Sequence, residues 1–499
     1  MKKYVLPIVV SFAIIVFFLG FIDKDIQSTS NDSLKQAFNY GVSNIPEDLK
    51  NVTNLSSRDE DIICALSKGL VYKSADNKIM PALANEITES SDGIQYEFKL
   101  SDDIYWSDGT KISPNDIVTF FKELLKEEDS KNIEALLDVY GAKEFKEGIV
   151  TFETGVAIKA MDQSVVIRLN KKNNDFLSEL SKPQYRLRKY LIMWSNLKNN
   201  YNKLIYSGDY RIDLISNDSM VLKKNNNSSN EIASTINIFK DDSVELSMAS
   251  YEVKQRDIVI DPPESQLNKL SSKGKLITMP KKYGTYLAIN NNDGSTPIQG
   301  RREIYRYVSK ALEEYQNINN KELELAEGSY FREDKDDLTK LQARKVSSSA
   351  EGEWEEPEVL TIIGIDNSEN RNLVRGIQSW FKNNTDISIR YSFVKEDEFN
   401  DKELKNRYDM VLINNNIDIL DKKNFYLNFK DYLTESEDKI LENISEDNKE
   451  EVYSQIEENL FESYTILPLV FYNENIALSE KVSKLDFDGN GNIDFNTIK

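Results

Sequence analysis

The sequence predicts an α/β fold with more than one domain, on three observations. The chain has 499 residues, long for one domain and suggestive of about two to four. From Val359 onward it reads strand, helix, strand, helix, strand, the order that builds a parallel sheet with crossover helices. Gly93–Leu125 reads as an alternating strand, a turn and a capped amphipathic helix, each part predicting the next.

Composition narrows the class of function. A hydrophobic content of 39% is enough for sizeable cores, so the chain is globular. A net charge of −21 with no long basic run excludes a nucleic-acid partner, because counterion release needs clustered Lys and Arg. Cys64 is the only cysteine, so no intrachain disulfide forms. Its apolar neighbours Ile62, Ile63, Ala65 and Leu66 make it a buried structural thiol rather than a nucleophile. The absence of histidine removes Ser-His-Asp and Cys-His catalysis and the usual zinc sites. No metal or cofactor is expected.

Lys2 and Lys3 precede the apolar run Tyr4–Ile22, which ends at Asp23. As a helix this run would cross a bilayer, with the positive flank inside and the remaining chain outside. No small-x-small cleavage site follows it, which favours an uncleaved N-terminal transmembrane helix over a secretory signal. Ile26–Asp32 is a polar spacer, and Leu34–Val42 reads as the first strand. In Gly93–Leu125, Tyr96, Phe98 and Leu100 alternate as in a half-buried strand, and Gly109 supplies the turn. Ser113 and Asp116 form a capping box with Pro114 at the first helical position. Ile117, Val118, Phe120, Phe121, Leu124 and Leu125 then make one apolar face. Gly155–Leu169 reads as a hairpin, Asn225–Asn230 as a low-complexity loop, and Ser347–Glu356 as a flexible acidic linker.

In the later α/β unit, Val359–Ile365, Ile387–Phe393 and Tyr408–Ile413 are strands. Leu373, Ile377, Trp380 and Phe381 form a helical stripe, and Glu396–Asn406 is a polar helix. Ligands bind such sheets outside the carboxyl ends of the strands, which is where Asn414, Asn415, Asn416, Ile417 and Asp418 fall. Asp418 is alternatively a turn or N-cap residue before Ile419. Asp486–Asp494 has EF-hand-like oxygen spacing, but Thr497 replaces the bidentate glutamate and no flanking helices are evident.

The residues of the Gly93–Leu125 stretch carry more than periodicity. Tyr96-x-Phe98-x-Leu100, then Trp106-Ser107-Asp108-Gly109-Thr110 and a helix opening Pro114-x-Asp116-Ile117, resembles the signature of extracellular solute-binding protein family 5. That family comprises the oligopeptide- and dipeptide-type binding subunits of ABC importers. Pro81–Ala84, Gly141–Phe145, Gly208–Ile212, Met220–Asn225, Tyr286–Asn290, Arg301–Leu312 and Ile466–Tyr472 are similar to further stretches of it.

The resemblance implies a two-lobed periplasmic-binding-protein-like fold of type II, in its large three-domain variant. Lobe I is then discontinuous (residues 31–75, 195–285 and 466–499), domain II is a small insertion (76–194), and lobe III spans 286–465, all behind a membrane segment at 1–25. It also implies a monomer on the extracellular face of a Gram-positive cell membrane, passing short peptides to ABC permease subunits. The usual lipid-carrying cysteine is missing, since Cys64 lies too far downstream.

By the same resemblance Asp418 falls on the aspartate that ion-pairs with a peptide's α-amino group, and Asn414–Asn416 on the edge that pairs with its backbone. Asn415 stands where the family has tryptophan, and Leu412 where the long-peptide branch has a basic residue. Leu55, Ser56 and Ser57 fall on a loop that places backbone against the peptide, or form an ordinary polar loop. Tyr472 falls on the cleft wall. Two other readings stand beside import: a membrane-tethered sensor whose cleft has decayed, and a hydrolase using paired carboxylates, for which no nucleophile motif speaks.

Overall fold

The computed structural model describes residues 37–499 apart from 53–54, 230, 291–295, 319–320, 333–337, 349–353, 418–421, 443 and 445–447. The expected membrane helix and Asp418 lie outside the described residues. Among those residues no helix is long and apolar enough to cross a membrane.

The strand expected at Tyr96 forms over Gln95–Leu100, with Tyr96, Phe98 and Leu100 buried and the residues between them facing outward. Asp108 accepts from the Thr110 N–H at 2.9 Å, and Gly109 takes a φ of 86°, which closes the turn. The helix Pro114–Glu127 begins on the expected box. The Ser113 hydroxyl accepts from the Asp116 N–H (3.3 Å), and the Asp116 carboxylate accepts from the Ser113 N–H (2.8 Å). Ile117, Phe120, Phe121, Leu124 and Leu125 bury its apolar face. The hairpin forms as Ile158–Met161 and Ser164–Arg168, completing a four-stranded sheet with Ala84–Glu89 and Gln95–Leu100. One buried core, made wholly of residues between Leu70 and Leu191, packs between this sheet and its helices.

An 11-stranded sheet runs through the remainder. At one end Val359–Ile365 pairs in parallel with Ser388–Val394 and with Met410–Asn415, the βαβαβ unit expected from the pattern. The helix Ser368–Asn384 crosses over with Leu373, Ile377 and Phe381 buried. The expected helix at 396–406 is instead two short ones, Glu396–Phe399 and Lys402–Lys405, with Asp401 capping the second. The sheet is mixed, because Leu276–Ile289 and Ile466–Leu478 join it antiparallel. These two strands, 14 and 13 residues long, lie in the middle of the sheet. Their upper halves pack in a core of residues 286–472. The other end of the Ile466–Leu478 strand enters a core assembled from residues 38–66, 194–258 and 476–498. Their pairing breaks between Pro280 and Gly284.

Residues 225–229 form the expected loop, but its start is pinned: Asn225 is buried, and its amide donates to the Gly208 and Tyr210 carbonyls (2.8 and 3.1 Å). The described end of the acidic linker, residues 354–356, is tied down. Glu356 accepts from the Tyr307 hydroxyl, and the Trp354 indole lies so close to Gly300 that a Cβ there would meet it at 2.5 Å.

Ser113→Ala should lower the unfolding free energy by about 1 kcal/mol in urea titration followed by circular dichroism, the cost of a lost N-cap. A Ser113→Asp replacement should restore most of it.

Candidate functional site

The expected ligand contacts come from three remote segments, and the crossing of the long strands is where they meet. Asn414 and Asn415 pair in the ladder with Thr285 and Gly284. Ile417 donates its N–H to the Lys282 carbonyl (3.4 Å), and its side chain lies over Gly284. Lys282, in the same stretch, is the strongest compensating charge for Glu60 of the helix Ser57–Leu66. Tyr472 lies across the ladder, its ring 5.6 Å from that of Tyr283.

Most of the predicted side chains are engaged within the protein. The Asn414 amide donates to Thr285 Oγ1 (2.8 Å) and Asn370 Oδ1 (3.1 Å), and its oxygen accepts from Asn370 Nδ2 (2.8 Å). Thr285 Oγ1 is 3.0 Å from the Tyr472 hydroxyl, so one chain of hydrogen bonds joins the start of the crossover helix to the wall residue. Burial raises the Tyr472 phenol, which is neutral at any physiological pH. Asn415 is buried, donating to the Phe425 carbonyl (3.0 Å) and accepting from Asn428 (2.7 Å), so it fastens the helix Lys422–Leu427 to the strand instead of facing a ligand. Asn416 is exposed.

Ser56 is the N-cap of its helix. Its hydroxyl and its N–H both meet the Asp59 carboxylate, at 2.9 and 3.2 Å. Leu55 packs on the first core, and Ser57 faces outward. Leu55–Ser57 therefore serve as a helix start, and what they turn toward the crossing is Glu60.

Four charged groups at the crossing were not legible as site residues. Burial pushes the Glu60 carboxyl up to about 7, with Lys282 opposing, and no side-chain hydrogen bond holds it. Burial, then Glu264 and Asp261, push Glu322 up to about 7 as well. Lys281 pairs with Asp261 at 2.7 Å. Glu369, in the first turn of the crossover helix, is close enough to raise the phenols of Tyr283 and Tyr472. The only sequence signal was Gly284 inside a strand pattern beside Lys281 and Lys282, which marks a bulge or a close backbone approach. The arrangement is electronegative and partly withdrawn from water, suited to receiving a cationic group.

Two sequence motifs resolve elsewhere. Asp488 accepts the N–H groups of Asn490 and Asn492 (both 2.9 Å) and pairs with Arg186 (3.3 Å), so its carboxylate is committed to donors and the EF-hand arrangement does not form. Among the described residues no acidic, Cys or His cluster could hold a metal. Burial raises the Cys64 thiol well above its ordinary value, which leaves it protonated and unreactive.

The part of the chain that holds the Leu70–Leu191 core also contacts the α/β unit. Lys449 Nζ, at the start of the helix Lys449–Glu462, pairs with Asp175 Oδ2 at 3.0 Å. Glu134 is bonded by Asn424, and burial together with Glu179 raises its carboxyl.

Glu322 gives a signed pH dependence. The folded state holds its proton more tightly than the unfolded chain, so the ionised carboxylate penalises folding increasingly from pH 4.5 to about 7. Glu322→Gln should therefore raise the thermal midpoint at pH 8 and leave it nearly unchanged at pH 4.5, as read by calorimetry.

Residues 78–312 match the family described as bacterial extracellular solute-binding proteins, family 5. The chain is 29% identical over 143 residues to the oligopeptide-binding protein AliB of Streptococcus pneumoniae. That match covers 28% of this chain and 22% of AliB, about a fifth of the relative's length. Solved structures with the same fold include NikA from Brucella suis in complex with Fe(III)-EDTA, at 16% identity and a TM-score of 0.69 over 93% of this chain and 99% of NikA. The Escherichia coli murein tripeptide binding protein MppA gives 17% identity and a TM-score of 0.65 over 93% of this chain and 99% of MppA.

Proposed function

Because residues 78–312 match the family 5 solute-binding proteins, we propose that the chain is the substrate-binding subunit of an ABC importer, capturing short peptides between its first and third lobes. In this reading it binds without turnover. Lobe I comprises residues 31–75, 195–285 and 466–499, interrupted by the inserted domain II (76–194), and lobe III comprises residues 286–465. Residues 1–25 tether a monomer to the outer face of the membrane beside its permease.

The observation that carries the reading is that Ile417 and Tyr472 lie at one stretch of the ladder, where Lys282 opposes the charge of Glu60 from a third segment. A carboxylate at Glu60 and another at Asp418 would receive the peptide's ammonium, and the Asn414–Asn416 edge would pair with its backbone. The oligopeptide-binding name of AliB and the tripeptide-binding name of MppA support peptides over metal chelates such as the one held by NikA. The internal engagement of Asn414, Asn415 and Ser56 favours one second reading, a tethered sensor with reduced main-chain readout.

Native mass spectrometry after exposure to a mixed peptide library should find a bound short peptide. An empty protein at every length would overturn the proposal. If Glu60 receives the ammonium, affinity should rise between pH 6 and 8 as its carboxyl ionises, and Glu60→Gln should remove that rise.

In this reading the Lys449–Asp175 pair, formed in the structure, joins domain II to lobe III and holds the cleft closed. Asp175→Lys should speed ligand release in stopped-flow measurements by roughly 2- to 5-fold, the scale of a partly exposed ion pair. Adding Lys449→Glu should bring the rate back toward the original.

A further inference from the structure

A second charged cavity lies at the far end of the sheet from the strand crossing. Its volume is about 260 Å³, and Arg301, Lys402, Lys405 and Asp431 line it with Asn290 and Tyr432. It sits where Ile289 pairs with Met410. Asn414 is at the other end of that strand, about 13 Å away at ~3.3 Å per residue. Asn290 fixes the local backbone by donating to the Lys405 and Tyr408 carbonyls, at 2.9 and 2.7 Å.

The charges do not balance. Lys405 and Lys402 share the single carboxylate of Asp431, at 3.0 and 3.5 Å. Arg301 donates only to the neutral carbonyls of Ser463 (3.0 Å) and Thr296 (3.4 Å), and no described carboxylate pairs with it. Burial is the only influence on its guanidinium, and it lowers the pKa. Three cations thus face one anion, in a chain whose net charge is −21. The Lys405 side chain is only 13% exposed, so this excess is withdrawn from the solvent that would otherwise screen it.

We propose that this cavity binds a phosphate group. Two uncompensated positive charges match a dianion, and a guanidinium with two flexible ammonium groups supplies convergent donors for tetrahedral oxygens. The group could belong to free phosphate or to an anionic lipid headgroup. Occupancy leaves the strand crossing untouched and stabilises the α/β unit from its outer end.

Inorganic phosphate titrated into the full chain, at constant ionic strength made up with sodium chloride, tests this. The thermal midpoint should rise and saturate, and calorimetry should show one site. Lys402, 57% exposed, tolerates replacement without loss of fold, and Lys402→Met should weaken binding roughly tenfold. Arg301→Met should abolish it. Sedimentation with phosphatidic acid vesicles, against phosphatidylcholine vesicles, distinguishes the sources. Retention lost in Lys402→Met assigns a headgroup, and phosphate binding without such retention assigns the free ion. Saturable binding of neither probe, or equal binding by the parent chain and Lys402→Met, overturns the proposal.

Discussion

Arg58 is the residue on which the core of residues 38–66, 194–258 and 476–498 depends. Its guanidinium lies among the Asp61 carboxylate (3.0 Å), the Glu474 carboxylate (3.4 Å) and the Gly491 carbonyl (2.8 Å). Asp61 is fully buried and also accepts from the Tyr40 hydroxyl (2.9 Å) and the Ile493 N–H (2.7 Å). One cation therefore joins the first strand, the helix that follows it, a long crossing strand and the C-terminal turn. Such a cluster contributes little net energy, because desolvating its charges costs about as much as their attraction returns. It acts instead through exclusivity: without Arg58, two carboxylates would be buried with no cation between them.

That cluster also sits beside the irregular stretch of the large sheet. Glu474 is in the strand Ile466–Leu478, just beyond the Pro280–Gly284 break in its partner. Above the break the two strands belong to the α/β unit, and below it they enter the core that Arg58 anchors. A break of this kind bends and twists the strand that carries it. Lys282, which opposes the Glu60 charge, lies within that stretch.

Sequence and structure agree best where local chemistry decides the outcome. Ser113, Pro114 and Asp116 specify a helix start whatever surrounds them, and Tyr96, Phe98 and Leu100 specify a strand with one wet face. The parallel order of the three later strands followed from their alternation with helices. Side-chain partnership across long separations was not legible. Nothing near Asn415 announces that it will bond Phe425 and Asn428, or near Asn225 that it will bond Gly208, because both partners are set by tertiary contacts. Glu60 was hidden for the opposite reason: one acidic residue in the opening turn of a helix reads as dipole complementarity until the fold places a lysine strand opposite.

The interleaving of the cores has a consequence for biogenesis. Residues 70–191 form a core that is complete in one continuous stretch, so this part can collapse as soon as it has been synthesised. The core containing Tyr40 cannot, because Ile476, Ile493 and Phe495 are among its buried members. Its earliest strand must wait for almost the whole polypeptide to emerge, its apolar face unsatisfied in the interval. Such late-closing topology is slow and prone to association, and it makes this protein a natural client for holding factors during synthesis.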